Sequence, residues 1–210
     1  KMESKIEERA YMCNVTTRED EDHGCMLEGV PIVIGQRTDM GSWDEVIDAG
    51  ALDQTDLKDV RFLVNHDISQ IPLARSRNNN KRSTMQLSVK DEGLHIRANL
   101  DTENNLKAKE LYSAVSRGDV SGMSFMFTVN KDAWEGLDTD HPTRHIQAIG
   151  RVFEVSAVTF PAYEQTSINA RSLEIGQASL ESAKKALESA KKLDALRQEV
   201  IERSSMWKKN

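Results

Sequence analysis

The run "SGMSFMF", Ser121 to Phe127, puts two serines at the mouth of an apolar segment. Side chains alternate along a strand, so Met123, Phe125, Phe127 and Val129 share one face and Ser124, Met126 and Thr128 the other. Ser121, between Val120 and Gly122, reads as turn chemistry. Ser124 lies inside the strand, where a buried hydroxyl without a partner costs about 1–3 kcal/mol. It is therefore either bonded to neighbouring backbone or a nucleophile facing a base. His66, at the end of "DVRFLVNHD", is the candidate base: a strand end fixes its orientation, and histidine is the usual general base near neutral pH. Read alone, it is equally a strand-end histidine bonded to local backbone or to Asp67. Glu154, in "RVFEVSAVTF", shares a face with Val152, Ser156, Val158 and Phe160. A carboxylate there needs a hydrogen-bonding or cationic partner. That partner is either an arginine such as Arg75, Arg97 or Arg151, or a histidine whose tautomer the carboxylate fixes.

Together the three residues supply a nucleophile, a base and an acid, each on or at the end of a predicted strand. The G-x-S-x-G elbow is absent, because Met126 stands where its second glycine would be. There is no phosphate-binding loop, dinucleotide fingerprint, H-E-x-x-H or EF-hand. His141 and His145 flank Pro142 in a polar segment and are solvated histidines, metal ligands or alternative third members of the site. Cys13, His23 and Cys25 lack a fourth ligand and a recognised metal spacing. The residues call for no cofactor and no metal.

The elements that must carry these groups follow from pattern. The chain has 210 residues, 38% hydrophobic and 30% charged, with a net charge of −6. That supports one core and argues against general nucleic-acid binding, which favours a basic surface. No apolar run reaches membrane-spanning length and no secretory signal opens the chain. The two cysteines then read as free thiols in a reducing compartment. Residues 1–10 read as a frayed polar end and 16–24 as a charged loop. Strands are predicted over 26–35, 59–67, three within 72–101, at 123–129 and over 151–163. Asn78–Lys81 and Asp91–Gly93 read as turns. A short helix is expected over 41–52, capped by Ser42, and another over 104–119, with Leu106, Leu111 and Val115 on one face and Gly118 ending it. Residues 130–145 read as a polar loop. Beyond 171 the composition changes, and "LESAKK" recurs after seven residues, at 180 and 187. Leu173, Leu180 and Leu187 then share a position of an amphipathic, coiled-coil-like helix, which packs on its own domain or on a partner. The organisation is α+β: a polar segment 1–25, a β-rich domain 26–170 and a helical tail 171–210.

The order "DVRFLVNHD", "DEGLHIRANLD", "GDVSGMSFMF", "RVFEVSAVTFPAY" closely resembles the prohead (capsid maturation) proteases of tailed bacteriophages, the HK97 type. "DEVIDAGAL", upstream, looks like that family's entry segment. The resemblance covers about residues 26–170. It implies a serine endopeptidase related in fold to the herpesvirus assembly proteases, on a closed or partly closed barrel of mostly antiparallel strands with flanking helices. Carried over, the nucleophile is Ser124, the base His66 and the acid Glu154. The herpesvirus relatives use a second histidine, which keeps His141 and His145 open. Met126 departs from the pattern, since many relatives look to have glycine there. The resemblance implies action inside the immature capsid, in the host cytoplasm, on scaffold segments, the major capsid protein and the protease itself. A loop carrying Arg144 or Arg151 could help hold the oxyanion. Residues 173–203 could self-associate or dock on capsid protein. A catalytically silent assembly protein on the same fold is the alternative, and it would hold Ser124 and His66 out of reach of each other.

Overall fold

In a computed structural model, residues 5–12, 15–20, 24–159 and 170–207 are described. They form two sheets and two helices. The strands are β1 (Ile6–Met12), β2 (Thr16–Asp20), β3 (Gly24–Val33), β4 (Thr38–Asp39), β5 (Asp44–Ile47), β6 (Asp59–Val64), β7 (Ala74–Arg77), β8 (Met85–Lys90), β9 (Gly93–Leu100), β10 (Gly122–Glu135) and β11 (Thr143–Val158). The helices are α1 (Leu106–Ser116) and α2 (Ala170–Trp207). The seven-stranded sheet runs β1-β10-β11-β5-β4, with β6 also on β11 and β7 on β6. The four-stranded sheet runs β2-β3-β9-β8.

The strand-rich α+β architecture is as expected, but no closed barrel is found among the described residues. The long strand β11 prevents simple closure. Its first half pairs in parallel with β5 and its second half in parallel with β6, so one edge of the sheet forks. The second sheet instead shares one core with the first. Leu27, Ile32, Leu94, Ile96 and Ala98 meet Phe62, Phe125, Phe127, Val152 and Val155 there. Burying each large apolar side chain contributes about 1.5–3 kcal/mol. Helix α1 closes the core with Ala108, Leu111 and Val115, while Leu106 is exposed rather than facing inward. Asn105 caps it by accepting the Lys107 and Ala108 N–H groups, and Gly118 follows its end at φ +80°. The predicted hairpin at Asp91–Gly93 forms, and only glycine fits at 93: φ is +145° and a Cβ would lie 1.9 Å from the Ile32 carbonyl oxygen.

Four local expectations fail, three of them in segments that carry buried charges. Residues 41–52 are not a helix: β5 alternates, with Trp43, Glu45 and Ile47 buried. The charged stretch at 16–20 is strand β2, paired with β3. The supposed loop 130–145 is mostly the extension of β10 and the start of β11, leaving a turn at 136–142. Of the "frayed" residues 1–10, 1–4 lie outside the described residues and Ile6–Ala10 belong to β1, paired antiparallel to β10 from Ile6↔Thr128 to Met12↔Gly122.

What overrides local propensity in the three segments other than β2 is a buried charge network. Glu7, Arg9, Glu45 and Arg144 are each only 2% exposed. Arg9 Nε and Nη2 donate to Glu45 at 2.5 and 2.8 Å, and Nη2 also reaches Glu7 at 2.6 Å. Arg144 Nη1 donates to Glu7 at 2.9 Å and Glu45 at 3.1 Å, and its Nε to Asp132 at 2.7 Å. Burial pushes the Glu45 carboxyl up, but the two guanidiniums more than offset it and hold it below its ordinary value. Arg144 stays charged, its pKa raised by Glu7 and Glu45 against the cost of burial.

The first turns of α2 dock on this frame. Met40, Trp43 and Leu180 form a second small core with Trp134, Leu137 and Leu173. A Cβ at Gly176 would lie 2.4 Å from the Trp43 ring, so glycine permits the close approach. Over residues 188–202 the helix is exposed, including Leu193, Leu196 and Val200. Among the described residues no helix is long and apolar enough to cross a membrane. The network makes a measurable claim. Arg144→Met strands buried carboxylates and should cost about 3–5 kcal/mol in urea unfolding. A loss below about 1 kcal/mol would show that these charges do not hold the sheet together.

Candidate active site

Ser124 sits in β10 between two strands, opposite Ala10 of β1 and Ser156 of β11. Two residues further towards the C-terminus of β10, the next row on the same face is Glu8, Met126 and Glu154. Alternation puts Ser124, Met126, Glu8, Glu154 and Ser156 on one face of this sheet. Met123, Phe125 and Phe127 anchor the strand from the other face, in the core.

His66 reaches this face from the turn that ends β6. Asn65 and His66 both take left-handed backbone, at φ +49° and +57°. Non-glycine residues held there cost of order 1–3 kcal/mol each. The end of β11 offsets that cost. Asn65 N–H donates to the Ala157 carbonyl at 2.9 Å, and Asn65 Oδ1 accepts the Thr159 N–H at 3.0 Å. His66 N–H donates to Ser156 Oγ at 3.2 Å.

The three residues singled out from sequence are thereby brought into one hydrogen-bonded line. His66 Nε2 is 2.5 Å from Ser124 Oγ, and Nδ1 is 2.5 Å from Glu154 Oε1. Glu154 is not paired with the arginines considered for it. Arg75 bonds Asp59 at 2.6 Å, Arg97 bonds Glu28 at 2.8 Å, and Arg151 stacks on Phe153 with Asp56 at 3.9 Å. His141 and His145 lie towards the other end of β11, away from Ser124. His141 meets Asp44 at 3.1 Å and His145 meets Asp48 at 2.8 Å. Asp39, Asp44 and His141 converge within 4.8 Å, but Asp44 is already neutralised by Arg37 at 2.9 Å. The expectation that Arg144 could serve an oxyanion fails, because its guanidinium is locked in the buried network. Cys13, His23 and residues 160–163 of the final predicted strand lie outside the described residues.

Two neighbours were not legible from sequence. Glu8 Oε1 lies 3.3 Å from His66 Nε2. The Arg9 carbonyl is 2.7 Å from Ser124 Oγ and accepts from it. Both come from β1, whose place became visible only through its pairing. The Ser124 hydroxyl has one proton and two acceptors within reach, His66 Nε2 and the Arg9 carbonyl. It can turn to His66 only when Nε2 is unprotonated.

That makes the charge of His66 decisive. Burial pulls its pKa down, but the hydrogen bond and charge of Glu154, with the charge of Glu8, raise it above the ordinary 6.5. A raised histidine contributes stability that is complete below about pH 6.5 and lost as pH rises through the folded value. The neutral imidazole, the form that can accept a proton from Ser124, prevails only above that same value, so it and this stabilisation favour opposite sides of it. An NMR titration of the His66 ring should give a pKa above 6.5, lowered by Glu154→Gln and, less, by Glu8→Gln. A wild-type value below 6.5 would remove the carboxylates' influence.

A serine, a histidine and a carboxylate thus stand in one hydrogen-bonded line on a strand-rich domain. The family model described as caudovirus prohead serine protease matches residues 13–180, and the chain belongs to that family. The prohead protease of Enterobacteria phage HK97 is 32% identical over 111 residues, 53% of this chain and 44% of that protein. The chain thus aligns with less than half the length of that relative. A solved structure of the bacteriophage T4 capsid assembly protease aligns at 10% identity with a TM-score of 0.37, over 72% of this chain and 98% of that one. Nothing about this chain follows from a likeness that weak.

Proposed function

We propose that the chain is a serine endopeptidase of prohead maturation, with Ser124 as nucleophile, His66 as general base and Glu154 as the orienter of His66. The observation that carries the reading is the unbroken line Ser124 Oγ–His66 Nε2 and His66 Nδ1–Glu154, each link 2.5 Å. Family membership supplies the substrate class, a peptide bond.

In this reading His66 Nε2 takes the Ser124 proton as Oγ bonds to the scissile carbonyl carbon. Glu154 holds Nδ1–H and stabilises the imidazolium. His66 then gives the proton to the leaving amine as the C–N bond breaks, leaving an ester on Ser124. Water, deprotonated by His66, attacks the ester and frees the enzyme. The substrates are scaffold segments, the leader of the major capsid protein and the protease itself, inside the immature capsid in the host cytoplasm. Residues 26–170 carry the catalysis, with β1 as an added wall of the site.

The alternative, a catalytically silent assembly protein, needs Ser124 and His66 apart, and their 2.5 Å separation argues against it. Incubation with the matching major capsid protein, read by mass spectrometry, tests the choice. Ser124→Ala should slow cleavage by at least about three orders of magnitude. Undiminished cleavage by that variant would end the assignment. Silence of both chains, with normal entry into proheads, would favour the assembly protein.

The tail takes a separate role. Its start belongs to the fold, since Trp134 Nε1 donates to Ser179 Oγ at 3.1 Å and Leu180 is buried. The exposed remainder is the docking segment, for capsid protein or a second copy. Deleting 186–210 should leave peptide cleavage near wild type while lowering incorporation into proheads. Equal loss of both would refute a docking role.

A further inference from the structure

Ser156 has no chemical step in the proposed mechanism, yet its hydroxyl touches two of the residues that do. It is fully buried, directly across the β10–β11 ladder from Ser124. Its Oγ accepts the His66 main-chain N–H at 3.2 Å and donates to Glu154 Oε2 at 2.6 Å. Glu154 Oε1 in turn bonds His66 Nδ1 at 2.5 Å. These contacts close a ring: His66 backbone, Ser156 hydroxyl, Glu154 carboxylate, His66 imidazole.

We propose that Ser156 is a positioning residue, which locks the His66 ring against Ser124 by tying the histidine's main chain and side chain to one carboxylate. The inference rests on the Ser124–His66–Glu154 reading and deepens it. The ring answers two local problems. His66 occupies a left-handed conformation that an L-residue leaves readily unless its surroundings fix it. Glu154 has two oxygens, and only one can face Nδ1 well. The Ser156 proton occupies the other and so selects the rotamer. A hydroxyl suits the task because it donates once and still accepts. Burial excludes water as a substitute, so removing the oxygen leaves His66 N–H and Glu154 Oε2 without these partners.

The test reads His66 directly, in the full chain without substrate. The Nδ1 proton, assigned by its loss in His66→Gln, should give a slowly exchanging downfield NMR signal. Ser156→Ala should broaden that signal into exchange with water, and Ser156→Thr, which keeps the hydroxyl, should restore it. In the capsid-protein cleavage assay, Ser156→Ala should lower kcat about 100-fold at unchanged KM, the loss expected for a misplaced catalytic group. A lowered Tm with wild-type signal and kcat would make Ser156 merely structural and overturn the proposal. So would a threonine variant of wild-type Tm that recovers neither signal nor rate. If Ser124→Ala still cleaves, the protease assignment fails, whereas the Nδ1 signal still decides the role of Ser156.

Discussion

The structure depends on burying two guanidiniums and two carboxylates together where water cannot compensate them. Arg9, Arg144, Glu7 and Glu45 come from β1, β11 and β5, and Asp132 extends the set into β10. Isolated, any one of these charges would cost several kcal/mol in that place. Assembled, they demand one register for four strands at once, because a one-residue slip would turn each side chain to the other face. The network reaches further through Asp132, which accepts from Ser179 of α2 at 3.0 Å. Ser172 of the same helix accepts the Glu8 N–H at 2.9 Å. The helix start, the N-terminal strand and the centre of the sheet are thus one hydrogen-bonded unit.

The site is a consequence of that unit as much as of its own residues. Arg9 points its side chain into the network while its carbonyl meets Ser124. Its neighbour Glu8 points the other way, to His66. Alternation along one strand therefore divides β1 between structure and chemistry. On the far side, β11 makes the same division. Arg144 serves the network near its start, and Glu154 and Ser156 serve the histidine near its end. Two strands fixed by a common network arrive at Ser124 from both sides, which sets the short distances without a ligand to induce them.

The three side chains of the candidate site were more legible in the sequence than the frame that holds them. Ser124, His66 and Glu154 stand out because each is a polar group in an otherwise apolar strand or at its end. The hairpin glycine, the α1 cap region and the heptad tail are equally local signals. The network is not local. Glu7, Arg9, Glu45 and Arg144 lie in segments that look charged and therefore exposed, and only their mutual burial makes those segments strands. Ser42 with Asp44 and Glu45 imitates a helix start for the same reason: the acids that suit a first helical turn here answer Arg9, Arg144 and Arg37. Ser156 was visible as a face-mate of Glu154, but nothing in the spacing tied it to His66. That link needs the parallel β6–β11 pairing, which brings Val64 beside Ala157.

The same pairing bears on how a peptide could approach. Many peptide-binding proteins lend a free strand edge to the ligand backbone. Strand β10 has none to lend at Ser124, since β1 occupies one edge and β11 the other. A substrate must come over the sheet face that carries Ser124, or β1 must give way. Met126 stands on that face, between Glu8 and Glu154 in the adjacent row and half-buried. A glycine there would leave the face open beside Ser124, whereas methionine fills it with a flexible, polarisable side chain that can move aside. Ser124 is fully buried in this state. In the proposed reading, access of a peptide to Ser124 therefore requires a rearrangement of its cover, and the described residues nearest to hand are Met126 and the edge strand carrying Glu8 and Arg9.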